Sequence, residues 1–430
     1  MNVPATVIIL ILFAILMVFF SQDRIDYFPI GLIIGAIAVL CLLYFGVSQN
    51  HILEFISFKT LIFIFSMQII IYYATNDKVL EYISLKIIHI TKGDNRLFFY
   101  IICIFTSFMV AFIEDLSLSL ILVPLIYRTC RVLRIPAGTY MMGMTITINI
   151  GAILTPVSSL KNFIVSEEFG WGFVEYLTNM GPLFVITVII TVVSLDFFVL
   201  KNEEKPTERD KKLLLSMLKP NMVIEKKRDF LITSLIVLLT FIFMIIGFEP
   251  ILVVLFSAAI LLLAHSKSSS FSDLKQEISW RIIIIFAILF ILSNSLTVFG
   301  FTEFISTNLL NLINGNIYLA VLLILSLSSF MSAFLAGTPV TIIFLPIISA
   351  IIGEGLFANP IIIAFVGGVN MAGNFLPQGS ACDLLTLNLA KKNNVVNLNY
   401  RRLLKYGGIF AIIHFALILG YTMVYTLIFG

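Results

Sequence analysis

Charge is what this chain has least of. Asp, Glu, Lys and Arg make up 12% of its 430 residues, against 60% hydrophobic residues. A soluble domain of that make-up would aggregate in water, so the chain reads as an integral membrane protein. The net charge of +3 carries no nucleic-acid signal, because the basic residues gather in loops between apolar runs and not along one polar face. Cysteine is scarce as well. Cys41, Cys103, Cys130 and Cys382 lie in apolar segments with no C-x-x-C spacing, which argues for structural thiols over a disulfide framework or a metal site. No G-x-x-x-x-G-K-[ST] loop is present, which argues against the use of ATP. Gly-x-Gly-Asp and His-Glu-x-x-His elements are also missing, so an intramembrane enzyme built on the chain's carboxylates lacks its parts. The first apolar run, Val3 to Phe20, has neither a basic leader nor a small-residue cleavage site and reads as a retained helix.

What the chain does have, it has twice. Residues 107–126 (SFMVAFIEDLSLSLILVPLI) and 329–348 (SFMSAFLAGTPVTIIFLPII) share their serine, Phe-Met, Ala-Phe and closing proline in register. They differ in the middle, Glu114-Asp115-Leu116-Ser117 against Ala336-Gly337-Thr338-Pro339. Apolar arms around a short polar centre suit a helical hairpin that enters the membrane and turns back. Such a break is tolerated only where protein or a water-filled cavity satisfies its backbone. ISFKTLIFIF (56–65) matches ISWRIIIIFA (278–287), the Asn-to-Pro breaks at 149–156 and 370–377 align, and 175–186 resembles 401–412.

The expected fold is an all-α polytopic membrane protein with about 11 transmembrane helices of ~20 residues each. They fall in two inverted repeats, each with a re-entrant hairpin and a broken helix. Residues 1–27 form an extra N-terminal helix, 28–200 the first repeat, 201–229 a charged, solvated cytoplasmic linker, and 230–430 the second repeat. Candidate spans are 4–20, 28–46, 59–75, 181–200, 230–248, 251–264, 281–298 and the last segment after a basic loop at 391–406. Residues 76–96 predict an amphipathic interfacial helix with Val79, Tyr82, Ile83, Ile87 and Ile90 on its apolar face, and 299–315 a counterpart. The hairpins are placed with tips at 114–117 and 336–339. If 76–96 is cytoplasmic and each hairpin returns to its own side, every Lys and Arg falls inside except Lys59 and Lys161. That bias fits the positive-inside rule and orients the halves oppositely; the plasma membrane is the expected location.

Two breaks of this kind, one per half, point to a transporter's binding site. At the first tip, Glu114, Asp115, Ser117 and the carbonyls of Gly151 and Ala152 offer hard oxygen ligands for a coupling ion, Na⁺ (at Asp115) or H⁺. The bland alternative has one carboxylate capping the following helix and the other paired with a lysine. Around the breaks, Asn149, Thr155, Ser158, Ser159, Lys161, Gly337, Thr338, Thr341, Asn370, Asn374, Gln378 and Ser380 could bind a small oxyanion without arginine. They could equally satisfy broken backbone, and Lys161 could snorkel outward. Asp383 is expected in cytoplasmic solvent, and His414 as a hydrogen-bonded core residue. No cofactor beyond Na⁺ or H⁺ as coupling ion is expected.

VAFIEDLSLSLILVPL followed by NIGAILTPVSSLKN resembles the hairpin-plus-broken-helix signature of the ion transporter superfamily. That group includes arsenite permeases, sodium/proton antiporters, the pigmentation P protein, citrate carriers and divalent anion/sodium symporters. The resemblance covers nearly the whole chain after residue 28. It implies a scaffold domain, a mobile domain holding both hairpins, elevator-type alternating access and a homodimer. The sequence departs from the family at Glu114-Asp115-Leu116-Ser117-Leu118, where Asp-Asn-(Val/Leu)-Thr-Thr is usual. It departs again at Leu154 to Asn162, which loses an Asp and gains Lys161. Two transport readings therefore stand: a cation-coupled carrier of a small anion (dicarboxylate, citrate or arsenite type), or a sodium/proton antiporter. A passive channel is a third possibility.

Overall fold

The computed structural model describes residues 2–20, 27–113, 115–203, 205–217, 220–266, 278–335, 337–395 and 397–430. Glu114, in the first tip, and Ala336, in the second, lie outside the described residues, as does most of the loop at 265–280. Ser117 and Gln378 are described in backbone only.

Every described element is helical. In chain order they are α1 (Val3–Phe20), α2 (Tyr27–Tyr44), α3 (Gln49–Glu54), α4 (Phe58–Asn76), α5 (Val79–Ile90), α6 (Asn95–Met109) and α7 (Asp115–Leu133). Then come α8 (Ala137–Gly151), α9 (Leu160–Phe169), α10 (Phe173–Phe198), α11 (Glu208–Met217), α12 (Lys227–Ile246) and α13 (Pro250–Ala264). The chain closes with α14 (Trp280–Val298), α15 (Phe301–Ile313), α16 (Ile317–Phe334), α17 (Gly337–Gly353), α18 (Ala358–Met371), α19 (Ala381–Lys392) and α20 (Tyr400–Phe429). Of these, α4, α10, α12, α14, α16 and α20 are long and apolar enough to cross a membrane, and shorter apolar stretches lie in α1, α2, α6, α13 and α17.

The interior is organised around two helices that have no outside. All residues of α8 are buried, and α18 is buried from Pro360 to Met371. A helix enclosed on every side needs no amphipathic pattern, and neither shows one. α8 lies among α6, α7 and α10, and α18 among α16, α17 and α20. The segments beyond the breaks then change sides: α9 packs on α17, and α19 packs on α7. An outer layer of α1, α2 and α14 continues into α4, α12 and α13. It is tied to α9 by Phe63 and Phe163, stacked with centroids 3.7 Å apart.

Several expectations shift. The first tip lies earlier than 114–117: α6 ends at Met109, turns follow, and Asp115 opens α7. A carboxylate in a first turn complements the positive end of the helix, which is enough to start α7 there. In α5 the buried residues are Val79, Leu80, Ser84 and Ile88, so Val79 of the expected apolar face is buried whereas Ile90 is exposed. Ser84 can face inward because its hydroxyl donates to the Leu80 carbonyl at 2.7 Å. The basic loop at 391–406 is shorter than expected, since α20 begins at Tyr400 with Asn399 capping it.

Residues 201–229 are not a plain solvated tether. They contain α11, which packs on α7 through Leu214, 2% exposed. Arg134 approaches Asp210 at 3.5 Å, and Glu203 accepts from Arg402 at 3.2 Å. Burying one leucine is worth about 1.5–3 kcal/mol, whereas the Arg134–Asp210 pair, with an exposed arginine, contributes little. Leu214 therefore anchors α11. Leu214→Asp is expected to leave the protein folded in detergent while making residues 203–226 a preferred site of limited proteolysis; equal protease resistance in both proteins would refute the docking.

Candidate functional site

The first break begins where α8 ends at Gly151 and closes where α9 resumes at Leu160. Its backbone is satisfied locally. The Ala152 carbonyl accepts from the Ser158 hydroxyl at 2.5 Å and from the Asn162 amide, and the Thr155 carbonyl accepts from the same two groups at 2.7 and 3.4 Å. The Thr155 hydroxyl donates to the Ala111 carbonyl, pinning the break to the first tip. The Gly151 carbonyl receives the Leu154 N–H at 3.1 Å. The hydroxyls of Thr155 and Ser158 and the carbonyls of Gly151 and Ala152 are thus engaged within the break and its tip. Gly151 also lets α6 approach: a Cβ there would lie 2.0 Å from the Ser107 carbonyl oxygen.

The second break runs from Met371 to Ala381 through two 3-10 turns, Ala372–Asn374 and Pro377–Gly379. It is stitched to the first half by side-chain amides. Asn149 Nδ2 donates to Asn374 Oδ1 at 2.8 Å and points to Asp383 Oδ1 at 3.4 Å, while Ser380 Oγ donates to Asn149 Oδ1 at 3.1 Å. Thr145 Oγ1 donates to Asp383 Oδ1 at 2.6 Å. Across the other side, Asn370 Nδ2 donates to Asn162 Oδ1 at 2.8 Å. In the register that aligns Asn149 with Asn370, Asn162 aligns with Asp383. The two halves therefore exchange the same contact, with an amide at one end and a carboxylate at the other.

Asp383 corrects the sequence reading. It is 1% exposed, not in solvent, because α19 turns inward against α7 and α8. His414 is the hydrogen-bonded core residue expected of it, with Nε2 2.9 Å from Thr191 Oγ1 and Nδ1 3.4 Å from Asn374 Nδ2. Thr145 and Asn162 were missed. The alignment of Asn162 with Asp383 was the signal that could have found one from the other.

Charge sorts over the four helix starts that meet at the breaks. α7 and α19, which pack together, each carry a carboxylate in the first turn, Asp115 and Asp383, close enough to act on one another electrostatically. Ser119 and Cys382 join them at 2.8 Å. The other pair, α9 and α17, carries Lys161 and no acid in its first turns. Lys161 Nζ lies 3.4 Å from the Val369 carbonyl, and a Cβ on Gly337 would lie 3.1 Å from that ammonium. Lys161 does not snorkel outward; it crosses to the second hairpin, within electrostatic reach of Asp115. Two buried polar atoms near this pair lack a partner among the described residues, the Ser159 hydroxyl and the Asn370 Oδ1 acceptor. Thr338 is half-buried beside Gly337, and the hydroxyl of Thr341 is spent on the Gly337 carbonyl at 3.0 Å.

A helical protein in which two broken helices and two hairpins bring four helix starts to one buried polar centre is built as a membrane transporter of small ions. Comparison with known proteins gives the family. The family model described as citrate transporter (CitMHS) matches residues 8–368, and the chain belongs to that family. An uncharacterized transporter of Methanocaldococcus jannaschii is 26% identical over 408 residues, which cover 94% of this chain and 99% of that one. The arsenical pump membrane protein of Escherichia coli is 25% identical over 334 residues, covering 74% and 76%. The fold matches the crystal structure of the YdaH transporter of Alcanivorax borkumensis with a TM-score of 0.58 at 9% identity, covering 98% of this chain and 97% of that one. These similarities bear out the ion transporter resemblance and the polytopic all-helical fold.

The Asn162–Asn370 bond is testable by a double-mutant cycle. Asn162→Ala and Asn370→Ala, singly and together, should show a coupling of about 1 kcal/mol in thermal unfolding of the detergent-purified protein. Strictly additive losses would mean that the bond does not join the halves.

Proposed function

We propose that this protein is a secondary active transporter that carries a small anion or oxyanion, of dicarboxylate, citrate or arsenite type, coupled to Na⁺ or H⁺. The observation that carries the reading is the separation of charge over the helix starts. The α9–α17 pair combines two positive helix ends with the Lys161 ammonium. A lysine in a helix's first turn is disfavoured by the dipole, so the pair is left short of negative charge. An anion there would meet N–H groups, the ammonium and the Ser159 hydroxyl. The α7–α19 pair has the opposite balance. Asp115 and Asp383, with the hydroxyl of Thr145, suit a coupling cation, since two buried carboxylates close together do not both stay ionised without one.

In this reading residues 28–200 and 230–430 act as inverted repeats that move by an elevator-type mechanism. Residues 1–27 are an added helix, and the linker 201–229 faces the cytoplasm of a plasma-membrane homodimer. The charge excess on Lys and Arg segments supports that orientation. The paired carboxylates also favour a second reading, sodium/proton antiport, in which Lys161 serves only as a counter-ion to Asp115.

Proteoliposomes separate the two. Uptake of labelled citrate, a dicarboxylate and arsenite is measured under an imposed Na⁺ or pH gradient, alongside a pH-jump dye assay on the same vesicles. The anion reading expects uptake of one of these anions that Lys161→Ala abolishes, about 100-fold or more, at unchanged protein level. Asp383→Asn should remove its dependence on the cation gradient. Sodium-driven proton movement without uptake of any of the anions would decide for the antiporter.

A further inference from the structure

A second set of ligand-type side chains lies on other helices, where α4, α12 and α13 meet. Asp77 follows the end of α4, Asp229 sits in the first turn of α12, and His265 follows the end of α13. One ligand atom from each lies within 4.8 Å of the others, and His265 and Asp229 are buried. They border a cavity of about 190 Å³, enough for an ion and several waters, which is also lined by Glu225, Lys78 and Lys226. None of these residues belongs to the four helix starts.

The geometry asks for a cation. His265 Nδ1 lies 3.0 Å from the Leu261 carbonyl, an acceptor, so that nitrogen carries the proton. The other ring nitrogen then presents its lone pair to Asp77 Oδ2, also at 3.0 Å. Two acceptors at that spacing need something positive, either a second proton on the ring or a metal ion. Asp77 Oδ2 additionally receives the Thr233 hydroxyl at 2.5 Å. A second carboxylate, Asp229, has a ligand atom within 4.8 Å, and two carboxylates that close call for a compensating cation. Lys78 faces Glu81 at 3.6 Å, and Lys226 is exposed.

We infer that Asp77, Asp229 and His265 form a binding site for a first-row divalent metal ion of the zinc or manganese class. One imidazole with two carboxylates is a donor set for such ions, whereas calcium and magnesium prefer oxygen alone. The imidazole's second nitrogen bonded to a backbone carbonyl is the usual support of a metal-bound histidine. In a tetrahedral ion with bonds of about 2 Å, donors sit about 3.3 Å apart. His265 and Asp77, at 3.0 Å, are close to that spacing, and a ligand atom of Asp229 lies within 4.8 Å of both. The bound ion clamps the ends of three outer-layer helices, so it governs the stability of that layer and is not the ion carried.

The test uses the full-length protein in detergent, stripped with a chelator and titrated with Zn²⁺ and separately with Mn²⁺. Bound metal is measured by elemental mass spectrometry, and melting is followed by intrinsic fluorescence. The inference expects one ion per chain and a melting temperature raised by several degrees at saturation. Both should be lost in Asp229→Asn and in His265→Gln, and retained in His51→Ala, which changes an exposed histidine. If a variant fails to fold, the wild-type comparison with and without metal still decides. Melting curves that coincide with no metal bound would overturn the site.

Discussion

Unwound backbone inside an apolar slab is the constraint on which this structure rests. Each carbonyl left without a donor there costs several kcal/mol, more than one packing contact returns. The chain meets the constraint with short side chains placed close in sequence. Ser158 and Asn162 each serve both the Ala152 and the Thr155 carbonyl, and Thr155 serves Ala111. Because Asn162 also holds Asn370 of the other half, satisfying one break fixes where the second half sits. The polar interior is therefore structural before it is functional.

That shared scaffold makes the differences between the halves informative. Where one half has Asp383 the other has Asn162, and where one has Asp115 the other has Gly337 in the register of the hairpins. Lys161 aligns with Cys382. The exchange removes two carboxylates from the α9–α17 pair and adds one ammonium. Helix dipoles are the same on both sides, so side-chain charge alone makes the α7–α19 end of the centre acidic and the α9–α17 end basic.

Much of this was legible in the residues. The duplicated hairpin, the two Asn-to-Pro breaks and the long apolar runs follow from hydropathy and self-similarity, and they became α6–α7, α16–α17 and the breaks after α8 and α18. What periodicity could not show is where a segment goes after a break. Asp383 was expected in solvent because it lies beyond the second break, yet the first turn of its helix is sealed between α7 and α8. The stripe on α5 was misread for a related reason: a serine that bonds its own helix is as easily buried as an isoleucine. Leu214 shows the same limit, since a charged segment can dock through one apolar residue.

The placement of Lys161 ties the two halves of the proposed site into one device. An ammonium at this depth needs a counter-charge, and Asp115 is within its electrostatic reach. On the proposed function, a carried anion that takes over Lys161 would release Asp115 to hold a cation beside Asp383. Loading one side then strengthens binding on the other, by the reciprocity that governs any two linked sites. On this proposal the two ligands are linked through one lysine with a choice between two partners.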